Sequence, residues 1–158
     1  MNNQKRKNYI PWIVLSEGTG LLSALLSRAG TERFQESALQ SALSPPPILF
    51  PIVWTILYAL MGIGAARVSQ TPESLPRSRA LNLFIAQLIV NFFWSLIFFN
   101  ANAYGFALVW LLLLWTLVAL MIFSFRKVDP LAAWLQIPYL IWLTFAAYLN
   151  YQVWMLNT

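Results

Sequence analysis

The side chains of this sequence that could recognise a small molecule are amides and indoles inside apolar segments. Gln87 and Asn91 are four residues apart, and Trp94 follows three residues later, so all three share one face of a helix. Amides hydrogen-bond across neighbouring helices, and they also fix ligands inside pockets whose walls are aromatic. The spacing fits both readings, a contact between helices and a contact with a ligand.

A second polar and aromatic stripe lies near the end of the chain. Tyr139, Trp142, Ala146 and Asn150 are spaced three or four residues apart and therefore share a helix face. Pro138 comes directly before them, and because proline lacks a backbone N–H it is expected to bend this helix. Such a bend either opens space inside a bundle or simply fits the packing.

The sequence has eight tryptophans, which separate by position. Some lie near the ends of apolar segments, where tryptophan forms belts at the membrane interface; these are Trp12, Trp134 and Trp154. Others lie deeper and beside polar residues, where they could wall a cavity for a large flat apolar ligand; these are Trp54, with Tyr58 one turn later, Trp94 and Trp142.

The residue types needed for common acid–base or metal chemistry are missing. The chain has no histidine and no cysteine, which removes the commonest general base, zinc ligand and haem ligand. Glu17 is the only acidic residue inside an apolar segment. It is interpreted as a buried polar anchor, a group near the membrane interface, or a proton relay.

Composition shows which elements must position these residues. Hydrophobic residues make up 59% of the chain and charged residues 9%, which is too little charge to cover the surface of a soluble domain. A membrane-spanning helix needs about 20 mainly apolar residues, and the sequence contains five such runs. We therefore predict an all-α membrane protein, a single domain over residues 1–158 built as a bundle of five transmembrane helices. The predicted helices are 9–26, 48–67, 80–99, 103–125 and 131–156.

The links between the runs carry further structural signals. Asn100-Ala101-Asn102-Ala103 is so short that the third and fourth helices must form an antiparallel hairpin. Asp129 and Pro130 suit the N-cap and the first position of the fifth helix. The link 27–47 is much longer. It contains helix-forming residues 32–43 and a terminal proline run, and a loop of this length is a candidate lid over a pocket.

Positive charge predicts the orientation of the bundle, because loops on the inner side of a membrane are enriched in lysine and arginine. An inner N-terminus places eight basic residues inside and two outside, and five spans then place the C-terminus outside. The inner residues are Lys5, Arg6, Lys7, Arg67, Arg77, Arg79, Arg126 and Lys127, and the outer residues are Arg28 and Arg33.

Three segments resemble the TspO/translocator protein family, whose members are also called tryptophan-rich sensory proteins or peripheral benzodiazepine receptors. Ser44-Pro45-Pro46-Pro47 followed by FPIVWTILYALMG resembles the start of that family's second helix. QLIVNFFWSLIFF (87–99) and PYLIWLTFAAYLNYQVW (138–154) resemble its third and fifth helices. The resemblance covers nearly the whole chain. It implies a five-helix bundle, often a homodimer, that binds tetrapyrroles such as protoporphyrin IX and haem.

The resemblance also implies which residues contact the ligand, in a pocket inside the bundle under the loop that follows the first helix. Two positions depart from the family's pattern, because Leu43 stands where many relatives have tryptophan and Phe106 stands where animal members commonly have it. No basic residue follows Tyr151, so the cholesterol-recognition segment of animal members is incomplete. The candidate ligand-binding residues are Leu43, Pro45, Pro46, Phe50, Trp54, Gln87, Asn91, Trp94, Phe106, Tyr139, Trp142, Ala146 and Asn150.

The leading functional interpretation is a membrane receptor or carrier for porphyrins or similar flat hydrophobic molecules, in the cytoplasmic membrane of a bacterium. It requires no cofactor, and its partners are the lipid bilayer, the ligand and a second copy of the chain, with no nucleic acid. Three alternatives remain at this point. They are photo-oxidative degradation of porphyrin, a small proton-coupled transporter that uses Glu17, and a structural or regulatory membrane partner.

Overall fold

The computed structural model describes the backbone of residues 3–158 and the side chains of residues 9–158. The described chain is helical, without strands. Its helices are α1 (Asn3–Leu26), α2 (Arg28–Ser37), α3 (Leu49–Ser69), α4 (Leu75–Ser95), α5 (Tyr104–Val128), α6 (Pro130–Trp134) and α7 (Ile137–Leu156).

Five segments of the described chain are long and apolar enough to cross a membrane, which confirms the predicted number of spans. They are Tyr9–Leu26, Leu49–Ser69, Leu75–Asn100, Tyr104–Val128 and Pro130–Leu156. The third span begins five residues before the predicted start, since the prediction placed Pro76 in a link. Ser74 instead caps α4 by accepting a hydrogen bond from the backbone N of Arg77 at 3.2 Å. Proline is tolerated in a first helical turn, where its missing N–H has no partner to lose.

The third and fourth spans form the predicted hairpin. A π-helical turn, Leu96–Asn100, continues α4, and α5 begins only four residues later. Asn102 has a φ of 53° in this turn, a left-handed conformation that asparagine adopts more readily than most residues. The two helices then pack along each other, and the indole of Trp110 donates to the backbone oxygen of Val90 at 2.7 Å.

The fifth span is interrupted near its start. Asp129 caps α6 as predicted, accepting from the backbone N of Leu131 at 3.1 Å. It also accepts from Nε of Arg67 at 2.8 Å, a pairing that the sequence pattern does not reveal. The helix breaks at Leu135 and Gln136, directly before the first turn of α7 that contains Pro138. Gln136 lies in the break and joins it to α3, because its Nε2 donates to the backbone oxygen of Leu60 at 2.9 Å.

The long first link contains a helix that differs from the expected one. The sequence predicts an end of the first helix at residue 26 and helix-forming residues only from 32 to 43, whereas α2 runs from Arg28 to Ser37 directly after α1. Gly30 lies buried within α2, where a Cβ would come within 2.6 Å of the backbone oxygen of Phe99. The glycine is therefore a close-packing position and not a helix terminator.

The spans form a ring whose neighbours pack unequally. The order around the ring is α1, α3, the α6–α7 span, α5 and α4. Backbones pack closely between α1 and α3, between α4 and α5, and between α5 and α7, while α3 meets the fifth span mainly at α6.

Basic side chains collect at the end of the bundle where α3 and α5 end and α4 begins. They are Arg67, Arg77, Arg79, Arg126 and Lys127. Arg28 and Arg33 lie on α2 at the other end. The side chains of Lys5, Arg6 and Lys7, which belong to the predicted inner cluster, lie outside those described.

The contact between α1 and α3 depends on a glycine. A Cβ at Gly62 would lie 2.6 Å from the Cα of Ile13, whereas a Cβ at Gly18 would meet nothing within 4 Å. Overpacking of a filled contact costs about 1–3 kcal/mol. Gly62→Ala is therefore expected to lower the free energy of unfolding in mixed micelles by that amount, and Gly18→Ala to leave it equal or slightly higher because alanine favours helix. Equal effects of the two substitutions would contradict this packing.

Candidate functional site

A cavity of about 780 Å³ lies inside the helix ring, beneath α2 and the proline run that leads into α3. Its volume is within the range of small-molecule sites. Charge among its described lining residues is confined to Arg28 and Glu32 of α2, which form an exposed ion pair at 3.5 Å. The candidate residues that line the cavity are Pro45, Pro46, Phe50, Trp54, Asn91, Trp94, Trp142, Ala146 and Asn150.

Aromatic rings supply much of the cavity wall. Phe50 and Trp142 meet edge to face with ring centroids 5.7 Å apart, and Trp54 lies against Tyr58 at 5.5 Å. On another side, Trp94 stacks on Phe98 at 5.1 Å. Rings that contact one another in this way hold each other's orientation, so the wall presents flat apolar surfaces in fixed positions.

Asn150 orients one of these rings. Its Oδ1 accepts from the indole Nε1 of Trp94 at 3.2 Å, and its Nδ2 donates to the backbone oxygen of Tyr104 at 2.9 Å. Asn150 is buried, so these bonds satisfy an amide that would otherwise be costly in an apolar setting. The amide links three elements of the bundle and positions Trp94 in the wall.

A hydrogen-bonded network forms the floor of the cavity. Tyr58 donates to Oδ1 of Asn91 at 3.0 Å, and Nδ2 of Asn91 donates to the hydroxyl of Tyr139 at 2.6 Å. Tyr139 in turn donates to Oε1 of Gln87 at 2.8 Å, and Nε2 of Gln87 points to the sulfur of Met61 at 3.8 Å. Only Tyr58 and Asn91 of this network line the cavity.

Gln87 and Tyr139 therefore lie below the cavity and do not line it. Both are fully buried. Each is on the predicted helix face, but one turn further from α2 than the residues that reach the open space. The helix contact that the sequence left as an alternative for Gln87 is the contact it makes in the structure.

The two positions that depart from the family's pattern also lie outside the cavity. Leu43 is 64% exposed, in the turn before the proline run. Phe106 is 58% exposed and contacts Trp110, and it borders a separate cleft of about 600 Å³ between α2 and the C-terminus. Neither side chain is directed at the main cavity, because the turn and the start of α5 lie at its periphery.

One wall of the cavity is formed by small residues of α1 and of its junction with α2, which were not among the candidates. Gly20 leaves no room for a Cβ against the ring of Tyr58, so α1 approaches the cavity closely. The small residues recur three or four positions apart, which is a signal for close helix approach in membranes. They are Gly20, Ser23, Ala24 and Ser27.

The link after α1 covers the cavity, in the position expected of a lid. Phe34 of α2 is buried against the rings of Phe98 and Phe99, with centroids 5.1 and 5.3 Å away. Beyond α2, the side chain of Asn157 holds the irregular segment that contains Leu39. Its Oδ1 accepts from the Leu39 backbone N at 3.0 Å, and its Nδ2 donates to the Leu39 backbone oxygen at 2.8 Å.

Glu17 lies near the middle of the first span and is half-buried. It does not line the cavity, and the described residues give it no hydrogen bond or ion pair. Among the residues described, no group of three or more acidic side chains is placed to hold a metal ion.

The arrangement in the cavity supports stacking and burial of an apolar molecule.

The chain is similar over most of its length to one known protein family. The model of the TspO/MBR family matches residues 12–155. The chain is 36% identical over 125 residues to the tryptophan-rich protein TspO of Chlorobaculum tepidum, covering 78% of this chain and 79% of that protein. It is 39% identical over 114 residues to the tryptophan-rich sensory protein of Cereibacter sphaeroides, covering 72% and 70%. It is 32% identical over 155 residues to the translocator protein of Bos taurus, covering 93% and 92%.

Proposed function

This chain belongs to the TspO/MBR family, and from that premise we propose that it is an integral membrane receptor or carrier for porphyrins such as protoporphyrin IX. The ligand would lie in the cavity beneath α2. The words "sensory" and "translocator" in the names of its relatives agree with binding followed by signalling or transfer.

The observation that carries the proposal is the match between the cavity and a flat apolar ligand. The cavity combines a volume of about 780 Å³ with walls that include Trp54, Trp94 and Trp142. An aromatic side chain buries roughly 150–250 Å² in total when it is enclosed, and about half of that area is one face of the ring. The amides of Asn91 and Asn150, inside the bundle, already bond within the protein, so affinity would come mainly from burial of apolar ring surface.

Charge at the rim suits an amphipathic ligand. Arg28 and Glu32 lie on α2 at the water-facing side of the lid and are largely exposed. A ligand with an apolar ring and charged substituents could bury the ring among the tryptophans and leave the charges in water near α2. Porphyrins with carboxylate side chains have this form.

A titration with protoporphyrin IX tests the proposal. We expect saturable quenching of tryptophan fluorescence in detergent-purified protein, with a midpoint at about 1 μM or below, equivalent to about −8 kcal/mol. Because the chain contains no histidine or cysteine to bind iron, haem should bind within about threefold of the metal-free ring, a difference under ~1 kcal/mol. Quenching that rises linearly, without saturation, would contradict the proposed function.

A further inference from the structure

One seam of the helix ring is held differently from the others. Along most of their length α3 and α7 do not pack backbone against backbone, and the described residues form no hydrogen bond between them. They meet through two ring pairs, Phe50 with Trp142 at 5.7 Å and Trp54 with Tyr139 at 6.1 Å. The two helices are joined more firmly only at the α6 end, where Gln136 bonds to the backbone of Leu60.

The cavity reaches this seam from inside. Phe50 and Trp54 line it from α3, and Trp142 and Ala146 line it from α7. Trp142 is also close to the middle of the span Pro130–Leu156, and Trp54 lies within the span Leu49–Ser69, which begins next to Phe50. The rings that close the seam therefore extend from the start of the second span into the apolar part of the bundle. Displacing Phe50 and Trp142 from each other would join the cavity directly to the lipid.

The lid is held by polar bonds as well as by ring contacts. Asn157 makes two hydrogen bonds to the backbone of Leu39, at 3.0 and 2.8 Å. Lifting the lid would expose Phe34, which is buried among aromatic rings, to water or headgroups. Opening at the lid therefore breaks hydrogen bonds and exposes apolar surface.

Opening at the seam neither breaks a hydrogen bond between α3 and α7 nor exposes apolar surface to water. Lipid chains are as apolar as the rings, so no hydrophobic force holds helices together within the bilayer. Separating Phe50 from Trp142 exchanges contacts between rings for contacts with lipid, and the seam has no hydrogen bond to break. The barrier at the seam should be lower than the barrier at the lid.

We propose that the ligand enters and leaves the cavity sideways, between α3 and α7, with Phe50 and Trp142 as the gate. This inference rests on the proposed function of the cavity. It defines the ligand class further, as a flat hydrophobic molecule that is dissolved in the bilayer before it binds. The lid then remains closed while the ligand exchanges.

Cross-linking can test the two routes separately, because the chain has no cysteine of its own. Leu39→Cys with Asn157→Cys places two thiols where the lid is clamped, and a disulfide or short cross-linker would lock it. Ile56→Cys with Ile141→Cys places thiols on exposed positions of α3 and α7 outside the cavity, and a bifunctional thiol reagent would lock the seam. Each protein is compared with the same variant carrying a monofunctional reagent.

The readout is the association rate of protoporphyrin IX, preloaded into lipid vesicles, with protein in nanodiscs. We expect locking of the seam to slow association about tenfold or more, and locking of the lid to change it by less than about twofold. Slowing by the lid lock, alone or together with the seam lock, would overturn the proposal. So would a rate that neither lock changes.

A measurement without ligand separates failure of this inference from failure of the proposed function. Spin labels at Ile56→Cys and Ile141→Cys report the width of the seam, and labels at Ile89→Cys and Leu112→Cys report the closely packed pair α4 and α5. We expect a broader distance distribution across the seam than across the control pair. A seam distribution as narrow as the control would overturn lateral opening whether or not porphyrin binds.

Discussion

Replacement of Trp142 by alanine is expected to weaken protoporphyrin IX binding about thirtyfold. One face of a ring offers roughly 80 Å² to a stacked ligand, and burial is worth about 25 cal/mol per Å², which gives about 2 kcal/mol. Trp142 lines the cavity and is itself held by Phe50, so the variant also releases a neighbouring ring. The midpoint of a fluorescence titration measures the effect.

Two variants serve as controls for Trp142→Ala. Trp142→Phe keeps an aromatic face and should retain most of the affinity, because the indole N–H has no hydrogen-bond partner among the described residues. Trp134→Ala removes a tryptophan that is 71% exposed and lies outside the cavity, so it should bind like the unaltered protein. Unchanged binding by Trp142→Ala would place the ligand elsewhere.

Replacement of Asn91 by leucine should destabilise the fold by about 2–3 kcal/mol. The change removes the acceptor of the Tyr58 hydroxyl and the donor to the Tyr139 hydroxyl. Both tyrosines are buried, and a buried donor left without a partner costs about 1–3 kcal/mol. Single hydrogen bonds in membrane proteins are worth less, on the order of 0.6 kcal/mol, so most of the loss should come from the orphaned hydroxyl of Tyr58.

The double variant Asn91→Leu with Tyr58→Phe distinguishes these contributions. It removes the orphaned hydroxyl together with its former acceptor, and such paired replacement is often close to neutral. Its free energy of unfolding, measured by titration with SDS in mixed micelles, should lie above that of Asn91→Leu alone. If the double variant is less stable than the single one, the Tyr58 hydroxyl is not orphaned by Asn91→Leu and still makes a stabilising contact.

Much of the candidate site was accessible from residue types, helical spacing and family resemblance. Phe50, Trp54, Trp94 and Trp142 were placed together because of their residue types and family resemblance, and all four line one cavity. Gln87 and Tyr139 were grouped with them because helical spacing places them on the same faces. Spacing gives the direction of a side chain around the helix axis. It does not give the depth at which neighbouring helices separate to leave a cavity, and these two residues lie below that depth.

Other features depended on contacts between distant parts of the chain. The helix α2 begins at Arg28 because Gly30 can pack on the backbone of Phe99, a contact that no local pattern contains. Asn157 clamps Leu39 across more than a hundred residues of chain. The wall formed by α1 could have been suspected from the small residues Gly20 to Ser27, whose spacing allows close approach, but the partner ring of Tyr58 could not.

The sequence by itself determined that this chain is a helical membrane protein with five spans. Apolar runs of about 20 residues with few charges have no other stable arrangement, because each backbone group in lipid must be bonded within its own helix. Tertiary structure alone decided which helices pack by their backbones and which meet only through rings. That choice depends on the relative height and tilt of the helices, and it is what leaves a cavity beneath α2 and an unbonded seam between α3 and α7.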